Sequence, residues 1–251
     1  MPAEESSAAI VLRTRDYSES DRIVTLLTRD AGKLGGIAKG AKQSRRRFER
    51  KLEVFSHVML YFRRRPHGEL VFITRAEAGE LAPFDLTDDI GKIALGSYLV
   101  ELADALSREE ADSTGAYRLL AAALGALARH GNSRSLRQAF ELGLLRWAGY
   151  QLEFRRCQVC DRTPTEHATS FVFIPSHGGI VCQHCRGRVS DAFIGLTAPS
   201  VAALANLGSI PIETATAAEC GGRDAEAALA RFMATVLDRK LRSLEFLNRV
   251  I

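Results

Sequence analysis

The sequence predicts an α+β fold in which a small N-terminal β-barrel precedes an all-α helical domain. Three observations lead to this prediction. Residues 1–80 hold short apolar runs separated by turn-forming residues, residues 81–251 space their apolar side chains as helices do, and two cysteine pairs interrupt the helical part at about 155–190. We therefore expect a barrel domain over 1–80 and a helical domain over 81–251.

The composition is that of an ordinary globular protein, with 46% hydrophobic and 25% charged residues in a chain of 251. The net charge of +4 is unevenly distributed, since residues 1–80 carry 16 basic and 11 acidic side chains and the remainder carries 18 and 19. An excess of cations in one region attracts polyanions. No apolar run has the length of a membrane span, and the acidic N-terminus does not resemble a signal peptide. We expect a cytoplasmic protein without membrane contact, in which thiols stay reduced.

Five apolar runs predict the strands of the barrel. They are rich in β-branched residues, are bounded by turn formers, and lie at 8–15, 22–29, 33–40, 54–62 and 69–77. Gly35 and Gly36 predict a bulge or a sharp bend in the third run. Five short strands with one long connection, between the third and the fourth, favour an OB-fold. An SH3-like barrel is the alternative, because the number of strands alone does not separate the two.

Apolar residues at helical spacing predict the second part of the chain. Thr114 suits the start of one helix and Gly131 its end. Residues 223–250 repeat the helical pattern at the end of the chain, with apolar residues at Leu229, Phe232, Val236, Leu241 and Leu244. We interpret one further stripe as helix packing, and it consists of Leu136, Phe140, Leu144 and Trp147.

The two C-x-x-C pairs predict a metal site. Each pair turns the backbone so that two thiolates converge, and two such pairs form a tetrahedron around Zn²⁺. The residues between the pairs predict a β-hairpin with Gly178 and Gly179 in its turn, which would bring the pairs together. A redox role for one pair is the alternative. We expect one structural Zn²⁺ in a zinc ribbon inserted into the helical domain, held by Cys157, Cys160, Cys182 and Cys185.

No catalytic motif is present in the sequence. The chain lacks a G-x-x-x-x-G-K-[ST] loop, a G-x-G-x-x-G turn after a strand, and a G-x-S-x-G elbow. The carboxylate pair of Asp88 and Asp89 stands where a helix should begin, and helix capping explains it. We therefore expect a protein that is not an enzyme.

The stretch from Lys39 to Lys51 is strongly basic, with seven Lys or Arg residues and one carboxylate, Glu49. It lies in the long connection of the predicted barrel, where such cations suit the phosphates of a nucleic acid. Nearby aromatic residues, such as Phe48 or Tyr61, could stack on bases. The alternative is a solvated, mobile loop. The candidate nucleic-acid contacts are Lys33, Lys39, Lys42, Arg45, Arg46, Arg47, Arg50, Lys51, Arg63, Arg64 and Arg65.

These parts together resemble a known family. The segment "AIVLRTRDYSESDRIVTLLTRDAGKLGGIAKGAKQSRRRF", the later "CQVC" and "CQHC", and the final "LDRKLRSLEFL" are similar to the RecO family of bacterial recombination mediators. The resemblance extends over essentially the full chain. It implies an OB-fold, a helical domain with a zinc ribbon, a nucleoid-associated location and a role in DNA repair.

The resemblance also implies an activity and partners. RecO-like proteins bind single- and double-stranded DNA and anneal complementary strands. They act with RecR, and often RecF, to load RecA onto strands covered by single-stranded-DNA-binding protein. Two other functions remain open at this point, a zinc-ribbon adaptor or scaffold whose basic loop is incidental, and an RNA-binding OB-fold protein. Salt-dependent DNA binding would distinguish a DNA-binding protein from an adaptor or scaffold. Comparative binding to RNA and DNA strands of one sequence would distinguish it from an RNA-binding protein.

Overall fold

The computed structural model describes residues 3–44, 46–65, 69–80, 84–109, 111–163 and 170–250. The chain forms two compact units, which we call unit 1 (residues 1–129 and 243–251) and unit 2 (residues 130–242). The boundary at residue 80 between a barrel domain and a helical domain stays a prediction. None of the helices in the described ranges combines the length and the hydrophobicity that spanning a bilayer requires.

Five strands of unit 1 form a closed barrel. They are β1 (Glu5–Asp16), β2 (Arg22–Thr28), β3 (Lys33–Ala38), β4 (His57–Arg63) and β5 (Val71–Ala78). β1 pairs antiparallel with both β2 and β4, and the barrel closes through a parallel contact between β3 and β5. The order β1-β2-β3-β5-β4 is a Greek-key closure typical of the OB-fold. The OB-fold prediction is therefore confirmed over the SH3-like alternative.

The pleat of the strands produces the barrel core. In β4 the side chains of Val58, Leu60 and Phe62 point inward and are at most 1% exposed, and they alternate with outward residues. Gly36 lies so close to Ile73 that a Cβ there would come within 2.7 Å of that side chain. The missing Cβ thus lets β3 approach β5.

The bulge expected in the third strand does not occur. β2 and β3 pair in regular register through Gly35 and Gly36. The register of the barrel shifts instead in β1, between Val11 and Arg13, and in β4, between Tyr61 and Phe62. The two glycines therefore serve close packing of strands and not a bend.

Helices follow the barrel. Those that the structure describes are α1 (Ile90–Leu106), α2 (Thr114–His130), α3 (Arg134–Trp147), α4 (Ala198–Leu207), α5 (Arg223–Val236) and α6 (Arg242–Val250). Asp89 caps α1, since its carboxylate accepts the Gly91 N–H at 2.6 Å. α2 begins at Thr114 and ends before Gly131, whose φ of +77° suits glycine, as the sequence predicts.

The end of the chain forms two helices, α5 and α6, within the segment of helical pattern. Leu237 is extended, and α6 begins only after it. The backbone N–H and the hydroxyl of Ser243 both donate to the Glu101 carboxylate, at 2.7 and 2.5 Å. The Glu101 carboxylate of α1 thus accepts a backbone N–H at the start of α6 that would otherwise lack a partner within the helix. This favours a new helix over continuation of α5.

Unit 2 contains a three-stranded antiparallel sheet. Its strands are β6 (Ser170–Ile174), β7 (Gly179–Cys182) and β8 (Ile194–Thr197), in the order β7-β6-β8. The predicted hairpin is β6–β7, and Gly178 in its turn has a φ of +65°. The sequence analysis missed β8 and α4, because each is short and β8 passes directly into α4.

Candidate metal centre and nucleic-acid interface

The first cysteine pair lies in a tight turn. The Asp161 N–H donates to the Cys157 carbonyl at 2.8 Å, and Asp161 has a φ of +56°. The Gln158 N–H donates to the Ile180 carbonyl at 2.9 Å, which ties this turn to β7. The backbone therefore folds Cys157 and Cys160 over the hairpin, as the C-x-x-C spacing predicts.

The second cysteine pair begins where β7 ends. Cys182 is the last residue of β7, and Cys185 lies in the 3₁₀ helix that follows, Gln183–Arg188. Cys157 and Cys185 are 3% and 4% exposed and pack with Ile174 and Val181 in one apolar cluster. The cysteines are thus part of the small core of the ribbon.

The four sulfurs form one compact group. All lie within 4.8 Å of one another, and the Sγ atoms of Cys160 and Cys182 are 3.9 Å apart. Sulfurs bound to zinc at about 2.3 Å in a tetrahedron are separated by about 3.8 Å. The thiols are free, and a separation of 3.9 Å is far longer than a disulfide bond. The donor set and its spacing therefore fit a four-coordinate thiophilic metal ion.

The thiols of Cys157 and Cys185 differ in how readily they ionise. Burial opposes the Cys157 thiolate, but N–H groups of Cys182, Cys160 and Val159 donate to its sulfur and lower its pKa to about 6. Burial and the neighbouring thiols raise the pKa of Cys185 to about 12. The Cys157 thiolate therefore forms more readily than the Cys185 thiolate. A divalent cation among the sulfurs would hold all four as thiolates.

The basic stretch is anchored in the barrel, which corrects the expectation of a mobile loop. Phe48 and Leu52 are 2% and 1% exposed and belong to the barrel core. The Ala76 N–H of β5 donates to the Arg47 carbonyl at 2.9 Å. Phe48 is therefore unavailable for stacking on bases, and its proposed role is wrong because its ring fills the barrel.

Four cations of this stretch are not engaged in ion pairs with other described residues. In the described part of the chain, Lys39, Arg46, Arg50 and Lys51 form no ion pair, and all but the half-buried Lys51 are exposed. Arg50 has a φ of +56°, a left-handed backbone that is uncommon outside glycine. We call these four residues the free cations. Arg46, Arg50 and Lys51 flank the buried anchors Phe48 and Leu52, so the anchors fix where these three cations emerge.

Other predicted contacts are engaged within the protein. Lys33 is 15% exposed in its side chain, and its Nζ lies 3.3 Å from the Asp104 carboxylate and donates to the Asp104 carbonyl at 2.8 Å. Lys42 pairs with Asp16 at 3.0 Å. The Arg47 guanidinium donates to the Lys39 carbonyl at 3.0 Å and lies over the ring of Phe48. Arg45 lies outside the described residues.

The second group of predicted contacts, at the end of β4, faces acidic residues. Arg63 lies 3.8 Å from Glu4, and Arg64 lies 3.2 Å from Glu5. Arg65 lies over the ring of Phe72, 6.0 Å from its centroid. Tyr61, a predicted stacking residue, has the Arg75 guanidinium 3.6 Å from its ring centroid. Intramolecular partners thus already neutralise or cover much of this group.

The sequence analysis missed one exposed aromatic residue, Tyr17. It lies in the connection between β1 and β2 and is 63% exposed. The start of the basic stretch is bonded to the same connection, since the Lys42 N–H donates to the Ser20 carbonyl at 3.0 Å and its Nζ to the Ser18 carbonyl at 2.9 Å. A lone aromatic residue in a polar turn was the available signal. Tyr17 therefore replaces Phe48 as a candidate for stacking.

Comparison with known proteins agrees with this architecture. The family descriptions "Recombination protein O N terminal" and "Recombination protein O C terminal" match residues 1–81 and 87–245. The chain is 36% identical over 249 residues to the DNA repair protein RecO of Anaeromyxobacter sp. (strain Fw109-5), covering 96% of this chain and 94% of the relative. It is 33% identical over 248 residues to the RecO of Pelobacter propionicus, covering 98% and 97%. It is 35% identical over 252 residues to the RecO of Myxococcus xanthus, covering 96% of each. The chain therefore belongs to the RecO family of DNA repair proteins.

Proposed function

We propose that this protein binds single- and double-stranded DNA, anneals complementary strands and helps to load RecA onto strands covered by single-stranded-DNA-binding protein. It would act with RecR, and often RecF, and without hydrolysing ATP. Membership of the RecO family supports a role in DNA repair. The proposed steps rest on the binding surface of the barrel.

The observation that carries the proposal is the group of free cations, which belong to a stretch that is hydrogen-bonded to the connection holding Tyr17. A cation already paired with a carboxylate must lose that partner before it meets a phosphate, whereas the free cations need not. The connection that holds Tyr17 is hydrogen-bonded to the start of the same stretch. Phosphate contacts with an adjacent aromatic ring suit a strand bound without sequence preference.

The same surface supports annealing. Two DNA strands repel one another through their phosphates, and protein cations bound to those phosphates lower the repulsion by neutralising charge. Bases that are not engaged in sequence-specific contacts stay available for pairing. Neutralisation of the backbone is therefore a sufficient physical basis for annealing, and it needs no catalytic group.

We further infer that the four-cysteine cluster holds one Zn²⁺ and that its role is structural. Thiolate ligands suit zinc, and four protein ligands leave no open coordination position for a substrate. The buried position of Cys157 and Cys185 in the core of the ribbon supports a role in folding.

Binding of labelled strands by the purified full-length protein tests the proposal. We expect salt-dependent binding to single-stranded DNA, faster pairing of complementary strands in the absence of ATP, and one zinc per chain by elemental analysis. A strand of the same sequence made of RNA provides the comparison. Absence of DNA binding at low salt, or clear preference for RNA, would exclude the proposed function.

A further inference from the structure

A second exposed aromatic residue lies beside arginines in unit 2, on the zinc ribbon. Phe193 stands just before β8 and is 45% exposed. The Arg186 guanidinium lies over its ring, 3.6 Å from the centroid. Arg188 is exposed two residues further along the same 3₁₀ helix. We call Arg186, Arg188 and Phe193 the ribbon patch. The proposed function makes no use of it.

The ribbon patch is preformed and open. Nη1 of Arg186 donates to the Val189 carbonyl at 3.1 Å, which fixes the guanidinium in place. A Cβ added to Gly187 or to Gly195 would meet no atom within 4 Å, so there is open space at Gly187, between Arg186 and Arg188, and at Gly195 in β8. A ligand therefore meets an ordered ring and guanidinium, and little conformational entropy is lost when it binds.

The charge of the ribbon favours an anion. The described residues from 155 to 193 include five arginines and two carboxylates, Asp161 and Asp191. Asp161 pairs with Arg156 at 3.1 Å, and Asp191 accepts the Ser176 hydroxyl at 2.9 Å in the hairpin region. Among the described residues, neither carboxylate pairs with Arg186 or Arg188.

The metal centre does not explain these arginines by itself. Four thiolates with one divalent cation carry a formal negative charge, which nearby cations would stabilise. Cys157 and Cys185, however, are 3% and 4% exposed, whereas the side chain of Arg188 faces solvent and Arg186 is directed to Phe193. The ribbon patch thus presents its charge outward.

We propose that the ribbon patch is a second contact for single-stranded DNA, in which a base stacks on the part of the Phe193 ring that Arg186 leaves exposed and phosphates meet Arg186 and Arg188. An aromatic ring beside guanidinium groups matches the two parts of a nucleotide, a flat base and an anion. The inference rests on the proposed DNA binding. Two contacts on separate units would let one molecule hold two strands, or two parts of one strand.

The experiment uses the full-length, zinc-loaded protein and a labelled oligothymidylate strand. The background variant has all four free cations replaced by Gln, so that the ribbon patch dominates the residual binding at low salt. In this background we expect Phe193→Ala to weaken binding at least about fivefold, the lower end of the loss for one stacked base. Phe193→Tyr keeps the ring and should bind like its parent.

Two further variants complete the design. Arg188→Gln should reduce the salt slope of log affinity by about 0.7, the value for one phosphate contact. Phe246→Ala removes an equally exposed phenylalanine in α6, 38% exposed, and should change nothing. Zinc content is measured for every variant. If Phe193→Ala also loses zinc, Arg188→Gln decides the result.

The outcomes separate this inference from the proposed function. If the parent chain does not bind DNA, both fail. If the parent binds and the Phe193 and Arg188 variants bind equally well, only the ribbon patch is wrong. A loss of affinity for an acidic peptide, with unchanged DNA binding, would likewise overturn the inference and assign the patch to a protein partner.

Discussion

Replacing the free cations, Lys39, Arg46, Arg50 and Lys51, together by Gln should remove most salt-dependent binding of single strands. Gln keeps an unbranched polar side chain and removes the charge, although it is shorter than Lys or Arg. Arg50 has a φ of +56°, and Gln, which like Arg carries a Cβ, meets the same left-handed backbone conformation there. The substitution therefore tests charge rather than folding.

The magnitude follows from the number of contacts. Each phosphate contact adds about 0.7 to the slope of log affinity against log salt for single strands, so four contacts add about 3. At 0.1 M salt the same contacts contribute roughly 600-fold in affinity, and the difference should vanish near 1 M. All sequences should be affected alike, because phosphate contacts carry no base information.

Fluorescence anisotropy over a salt series measures the slope, and a circular dichroism melt checks the fold. The matched control replaces four exposed cations outside the barrel by Gln, which changes the net charge equally, and these are Arg118, Arg129, Arg231 and Lys240. Its slope should stay close to that of the parent. If the first variant keeps the parental slope, or the control loses as much, the free cations are not the contacts. Arg63, Arg64 and Arg65 would then be tested next.

Three further predictions concern the structure. Cys182→Ser should abolish stoichiometric zinc by elemental analysis and lower the melting temperature, and a variant that retains zinc would contradict a four-sulfur site. Phe48→Ala should lower the free energy of unfolding by about 3–5 kcal/mol in urea titration, whereas a loss below about 1 kcal/mol would mean that the ring does not fill the barrel. Burial opposes the charge of Asp224, but donors from Ser200 and Thr197 lower its pKa below the usual 3.8. Its stabilising contribution is therefore present above that value and lost as pH falls through the lowered pKa. Asp224→Asn should lower the free energy of unfolding by about 1–2 kcal/mol at neutral pH, and the difference from the parent should disappear in acid. A difference that does not change with pH would contradict a lowered pKa of Asp224.

The barrel and the cysteine cluster could be predicted from the sequence because their signals are local. Apolar runs with turn residues between them gave all five strands, and the C-x-x-C spacing gave the four sulfurs. The strand order required the structure, since the parallel contact of β3 with β5 joins residues far apart in the chain. The break between α5 and α6 depends on Glu101, which no local pattern near residue 240 indicates.

Prediction of individual contacts failed where burial or a distant partner decided the outcome. Lys33 is an ordinary cation in the sequence, but Asp104, 71 residues away, binds it in the structure. Phe48 lies among arginines, which suggested an exposed ring. The spacing of Phe48 and Leu52 was nevertheless a signal, because two apolar residues four apart within a charged stretch indicate one buried face.

The anchoring of the basic stretch changes what its cations can do. A mobile loop would lose conformational entropy when it meets a strand, and that cost would cancel part of each phosphate contact. Here Phe48 and Leu52 hold the stretch in the barrel core, and the Ala76 N–H holds the Arg47 carbonyl in place. Folding has therefore already ordered the backbone from Arg46 to Leu52. Because the side chains alone remain to be ordered, the four charges can act together on one strand while the bases of that strand stay open for pairing. A variant that loosens the anchor without removing a charge, such as Leu52→Ala, should then weaken DNA binding with an unchanged salt slope. A reduced slope in that variant would show that the anchors matter only by placing the charges, and equal affinity would show that the order of the stretch does not contribute.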